Sequence, residues 1–99
     1  MRGTICAMSE IIISPAAQKQ LRKVPRHIAT KLAGWVLLVK TEGLSEARKI
    51  PGYNDEALKD KRQGQRSIRL SRAYRAIYTV TEEQQIELVT IQEVSKHDY

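Results

Sequence analysis

Apolar residues follow two rhythms along this chain, and the switch between them outlines the fold. Residues 9–14 carry the β-branched run Ile11-Ile12-Ile13, which predicts a buried strand stopped by Ser14-Pro15. Ser14 is placed to cap a helix and Pro15 to open it, because the hydroxyl accepts an orphan N–H and proline has no N–H to leave unpaired. Ala17, Leu21 and Val24 then fall on one helical stripe that runs to Pro25. From residue 26 to residue 42, Ile28, Leu32, Trp35, Val36 and Val39 form a second stripe, with Lys31 and Lys40 free to face water and Gly43 as the stop. Trp35 has the shape of a stacking platform for a base, but its place in the stripe favours core packing.

Residues 44–50 are compatible with a short helix, and Pro51-Gly52-Tyr53-Asn54-Asp55 is turn chemistry. A basic loop, residues 59–65, follows. Period-two patterning then predicts strands over residues 66–71, 73–80 and 85–94, the last two joined by a polar hairpin connection over residues 81–84. In the first of these, Ile68 and Leu70 share one face and Ser67, Arg69 and Ser71 the other. Tyr74, Ala76 and Tyr78 alternate with Arg75 and Ile77. The last strand is apolar on both sides, Ile86 and Leu88 against Val89 and Ile91, as expected where both faces are covered. The order predicts a small α+β domain over residues 9–99: an N-terminal strand and two helices packed on one face of an antiparallel sheet of about four strands. Residues 1–8 are expected to be an extension, with Met8 as an alternative translation start.

Composition adds a charge argument. At 99 residues the chain can build one core without disulfides, and 17 Lys and Arg against 11 Asp and Glu leave a net charge of +6. Such a balance favours polyanionic partners, although charge alone fits equally a basic protein that binds no nucleic acid. Cys6 is the single cysteine, so neither an internal disulfide nor a Cys-rich zinc site is expected, in keeping with a reducing cytoplasm. The opening residues lack the apolar run of a secretory signal, and no stretch is long enough for a membrane helix.

The basic residues are concentrated. Between Ala57 and Arg75 stand Lys59, Lys61, Arg62, Arg66, Arg69, Arg72 and Arg75 against one acid, Asp60. Arg69 and Arg75 come from neighbouring predicted strands, where they can grip one phosphate as two forked donors. His97, one of the two histidines, lies beside Asp98 and Tyr99 and is the side chain best matched to proton transfer near neutral pH. His27, at the start of the long helix, reads as an ordinary surface residue. Neither a metal-ligand cluster nor a glycine-rich phosphate loop nor a nucleophile elbow is visible.

Ile12-Ile13-Ser14-Pro15-Ala16-Ala17, Glu56-Ala57-Leu58-Lys59, Gly64-Gln65-Arg66-Ser67-Ile68-Arg69-Leu70, Tyr74-Arg75-Ala76-Ile77-Tyr78 and Lys96-His97-Asp98-Tyr99 together resemble the RelE/ParE toxin superfamily of type II toxin–antitoxin modules. The His-x-Tyr ending resembles the branch containing RelE, YoeB and HigB, whose members cleave mRNA, many of them on the ribosome. The resemblance implies a RelE-like fold and a metal-independent attack of the ribose 2′-OH on the adjacent phosphate. It implies Glu56 as general base, Arg69 and Arg75 as phosphate ligands, His97 as general acid and Tyr99 as a substrate-orienting aromatic. Lys59, Lys61, Arg62, Arg66, Arg72 and Lys96 are the expected RNA contacts. In the RelE type a strand lysine is associated with the base role, where Ser67 stands here, and an arginine replaces His97. Lys59 and Lys61 therefore compete with Glu56 as base, and Tyr99 with His97 as acid. The same resemblance implies a cognate antitoxin with an acidic, amphipathic segment. A ParE-like inhibitor of DNA gyrase, acting by binding alone, is the alternative reading.

Overall fold

The computed structural model describes residues 8–96. Strand β1 (Met8–Ile13) leads into helices α1 (Pro15–Leu21), α2 (Arg26–Glu42) and α3 (Leu44–Ala47), and a 3-10 turn, Pro51–Tyr53, leads to strand β2 (Glu56–Ala57). A second 3-10 turn, Asp60–Arg62, lies in the basic loop before β3 (Arg66–Arg69), β4 (Tyr74–Glu83) and β5 (Ile86–Lys96). The sheet order is β1-β5-β4-β3-β2, with β1 parallel to β5 and the other pairs antiparallel. Met8 already belongs to β1, and the rest of the expected N-terminal extension lies outside the described residues.

The expected α+β class and helix positions hold, and four departures have local causes. First, α1 stops at Leu21 rather than at Pro25, because a residue before proline is pushed out of the helical region and the chain must turn there. Second, the sheet has five strands rather than about four; the extra one, β2, is two residues long and leaves no periodicity to read. Third, the strand expected over residues 66–71 ends at Arg69, and the backbone N–H groups of Leu70 and Ser71 both donate to the Tyr74 carbonyl in a tight turn. Fourth, β4 runs through most of the expected polar connection to Glu83, and β5 runs from Ile86 to Lys96. Gln84 and Gln85 adopt φ of 52° and 67°, a pair of left-handed residues that closes a two-residue hairpin compatible with strand twist.

One irregularity explains the apolar pattern of β5. Ile77 pairs with Glu93 but Tyr78 pairs with Ile91, so Gln92 is an extra residue and the alternation changes phase there. Val89, Ile91 and Val94 all reach the same core as a result, while Ile86 and Leu88 are half-buried. In β1, Ile11 and Ile13 pack on the core while Ile12, paired with Thr90 on the face away from the helices, is 47 % exposed rather than buried as the apolar run suggested.

Helices α1 and α2 cover one face of the sheet. Ala17, Ile28, Leu32, Trp35 and Val39 pack with Ile68, Leu70, Ala76, Tyr78, Val89, Ile91 and Val94 into one apolar cluster. Trp35 is fully buried with its ring centroid 5.0 Å from that of Tyr78 at a tilted 49°, so it belongs to the core and offers no exposed stacking surface. No helix among the described residues is long and apolar enough to cross a membrane.

At the β2 end, a charge is built into this core. The Asp55 side chain is completely inaccessible, and its carboxylate accepts from Arg66 Nε at 2.6 Å and from the Tyr78 hydroxyl. Arg48 Nε lies 3.5 Å from the same hydroxyl. Burial pulls the Arg66 guanidinium down, yet the hydrogen bond and charge of Asp55 outweigh it and leave its pKa raised. Burial first, and then the bond to Asp55, push Tyr78 up from 10.0 to about 12, against the opposing influence of Arg48.

Two outcomes follow from this packing. Trp35→Ala should lower the unfolding free energy in urea by about 3–5 kcal/mol, the cost of an aromatic cavity. Because the folded pKa of Tyr78 lies above its unfolded value, its contribution is complete below pH 10.0 and is lost as pH rises to about 12. Wild type should therefore lose roughly 2 kcal/mol more than Tyr78→Phe across that window, as read by urea unfolding at each pH.

Candidate functional site

The face of the sheet opposite the helices is ordered by register. Glu56 pairs with Ser67, Ser67 with Ile77 and Ile77 with Glu93, forming one row across four strands. Two residues further along β3, the next row places Arg69 opposite Arg75 and Arg75 opposite Ser95. Paired residues share a face, so Glu56, Ser67, Arg69 and Arg75 stand on this side together.

Part of the face is covered. Leu58 N–H donates to the Gln65 carbonyl and closes the basic loop. Arg62 donates to Gln65 and reaches Glu93 on β5 at 3.2 Å. Glu93 is the cross-strand neighbour of Ile77, which is fully buried on a face that carries no helix. At the far end of this face the described residues form a cleft lined by Asn54, Glu56, Ser67, Arg69, Ser71, Arg72, Tyr74 and Arg75. It offers room for about 60 Å³, far below the several hundred of an enclosed small-molecule pocket. A phosphate fits such a depression, while the rest of a ligand would lie along the surface.

The electrostatics of the cleft are one-sided. Like charges directly opposite each other in a sheet cost stability, of order 0.2–1 kcal/mol, yet Arg69 and Arg75 face each other across β3 and β4. Arg72 joins them from the connecting turn, which is held by Ser71 Oγ accepting from the N–H groups of Ala73 and Tyr74. Among the described residues, Glu56 is the one carboxylate lining the cleft. Arg75 Nε is buried and has no hydrogen-bond partner among the described residues. An orphaned donor beside two further guanidiniums is an arrangement that an oxyanion would satisfy.

The sequence candidates divide accordingly. Glu56, Arg69, Arg72 and Arg75 meet in the cleft. Lys59 and Lys61 lie exposed in the basic loop outside its lining. Arg62 is committed to Glu93 and Arg66 to Asp55. Lys96 ends β5 opposite Tyr74, so the last described residue is beside the cleft; His97 and Tyr99 lie outside the described residues. Asn54, Ser67, Ser71 and Tyr74 were not among the sequence candidates. Ser67 and Ser71 were detectable from their shared face with Arg69, whereas Asn54 enters only because the short strand β2 brings its segment alongside β3.

Comparison with solved structures yields the same architecture repeatedly. YafQ from E. coli strain BL21(DE3) superposes with a TM-score of 0.71 at 17% identity, over 91% of this chain and 94% of its own. The YoeB–YefM complex from Staphylococcus aureus gives 0.65 at 20% identity, over 93% and 100%. A YoeB/ParE toxin from Agrobacterium tumefaciens gives 0.66 at 14% identity, over 90% and 99%. No curated protein matches the chain by sequence. The family model described as the ParE toxin of the type II toxin–antitoxin system, parDE, matches residues 11–96, which span the sheet, the helices and the cleft, and the chain therefore belongs to that toxin family within the RelE/ParE superfamily.

Proposed function

We propose that this toxin is a metal-independent endoribonuclease that cuts mRNA on the ribosome. The observation that carries the reading is the cleft itself: two directly opposed arginines, one with a buried donor that has no partner among the described residues, beside the Glu56 carboxylate. Glu56 takes the proton of the ribose 2′-OH as that oxygen attacks the adjacent phosphorus. The O2′–P bond forms, the P–O5′ bond breaks, and His97 supplies the proton that the departing 5′-oxygen needs. The products are a 2′,3′-cyclic phosphate and a 5′-hydroxyl. Arg69 and Arg75 hold the phosphate and favour the transition state, in which its oxygens carry more charge. Glu56 is preferred to Lys59 and Lys61 as base because it lines the cleft and they do not. His97 is preferred to Tyr99 as acid because its unperturbed pKa lies near neutrality. Lys59, Lys61, Arg72 and Lys96 are placed to contact the flanking RNA backbone.

The solved YoeB and YafQ relatives include complexes with YefM and DinJ. A cognate antitoxin accordingly belongs to the proposal, with an acidic, amphipathic segment matched to the net charge of +6, and the pair would act in the cytoplasm. A second reading is supported by the family description itself, which names a ParE toxin: binding and inhibition of DNA gyrase with no RNA chemistry, an activity that one fold could host equally well.

Mapping of mRNA 5′ ends in cells expressing the toxin without antitoxin separates the two. New ends that disappear with His97→Gln or Glu56→Gln are expected, with cleavage by purified protein falling at least about 100-fold for either variant. Absence of new ends together with a DNA-damage response would transfer the assignment to gyrase. Binding of the anion has its own readout. Pyrophosphate should raise the melting temperature of the wild type, and Arg75→Gln should abolish that rise while costing the unliganded fold at most about 1 kcal/mol, because it relieves a like-charge opposition.

A further inference from the structure

We infer that Asp55 is a positioning residue whose buried carboxylate, clasped by Arg66 and Tyr78 beneath the sheet, holds the neighbouring Glu56 up in the cleft. The inference rests on the assignment of Glu56 as general base. Its starting point is the shortness of β2, which pairs with β3 through only Glu56↔Ser67 and Ala57↔Arg66. A two-residue edge strand has too little pairing to keep one orientation unaided. Its register is nonetheless critical, since neighbouring side chains in an extended segment point to opposite faces and a rotation of one residue would exchange them.

The contacts around Asp55 supply what the strand lacks. Arg66 pairs with Tyr78 across β3 and β4, so both belong to the helix-covered face, and both bind the Asp55 carboxylate. The carboxylate is fully enclosed, and its removal would leave a guanidinium and a hydroxyl short of their acceptor in a low-dielectric setting. With Asp55 held below, Glu56 must project above, towards Ser67 and Arg69. The approach to this segment is also fastened: Tyr53 donates through its hydroxyl to the Lys31 carbonyl on α2 at 3.1 Å, and the Lys31 ammonium lies over the Tyr53 ring at 4.7 Å. Asn54, between these two anchors, takes a left-handed φ of 46°, which turns the chain from the helical layer to the sheet. Arg66, counted from sequence among the RNA-contacting residues, thereby gains a role inside the protein.

The test uses the purified full chain. Asp55→Asn keeps the volume of the side chain but removes its charge and half of its accepting capacity. Amide hydrogen exchange at Glu56 and Ser67 should accelerate at least about tenfold while α2 and the β4–β5 pair stay protected, which locates the loosening in β2. Ribosome-dependent cleavage should lose kcat by about 10–100-fold with KM little changed, and adding Glu56→Gln to Asp55→Asn should cost far less than it does alone, the mark of two residues acting through one group. Unchanged exchange at Glu56 and Ser67, or losses that multiply in the double variant, would overturn the inference. Should Asp55→Asn fail to fold, Tyr78→Phe removes one of the two clasps with its ring retained and is judged by the same exchange and kinetic criteria. A wild-type protein that leaves RNA intact would refute the nuclease reading, while the exchange measurement would still decide whether Asp55 holds Glu56 in place.

Discussion

A slip of β3 by one residue against β4 would carry Arg69 into the apolar layer beneath the helices and turn Ile68 out to water. Everything distinctive about this molecule depends on that register. It places Ile68 with Ala76 and Arg66 with Tyr78 on the helix side, and Ser67 with Ile77 and Arg69 with Arg75 on the other. The apolar set beneath the sheet makes the alternative register costly, because a slip would exchange buried aliphatic surface for buried charge. The core therefore supplies the force that keeps two like charges opposed in the cleft.

The two sides of the sheet treat their charges in opposite ways. Below, the Asp55 carboxylate is enclosed with partners from β3 and β4, and such a cluster is valuable for the geometry it imposes more than for net stability. Above, the guanidiniums of Arg69, Arg72 and Arg75 gather beside Glu56, an arrangement that is costly to the isolated fold and suited to an oxyanion. The short strand β2 joins these two regimes, since Asp55 lies below and its neighbour Glu56 above.

The basic loop is tied to the open face. Arg62 reaches across to Glu93 on β5, the cross-strand neighbour of the fully buried Ile77, and the Arg69 and Arg75 cleft opens at the far end of the same face.

Much of this was legible in the chain alone. The stripes through Ile28, Leu32, Trp35 and Val39, the Ser14 cap with Pro15, and the alternation about Arg69 and Arg75 follow from local rules, because side-chain direction in a helix or strand is set by backbone periodicity. Those rules led to the α+β class and to Arg69 and Arg75 as partners for one phosphate, whereas Glu56 entered only through the family resemblance. What periodicity does not encode is partnership between distant segments. The parallel pairing of β1 with β5, the two-residue strand that carries Glu56, the phase change at Gln92 and the assignment of Arg66 and Arg62 to Asp55 and Glu93 each require knowing which groups meet in space. A guanidinium has the same local signature whether or not a carboxylate lies beside it, and only the tertiary structure, by setting what lies within hydrogen-bond reach, joins Arg66 to Asp55 and Arg62 to Glu93.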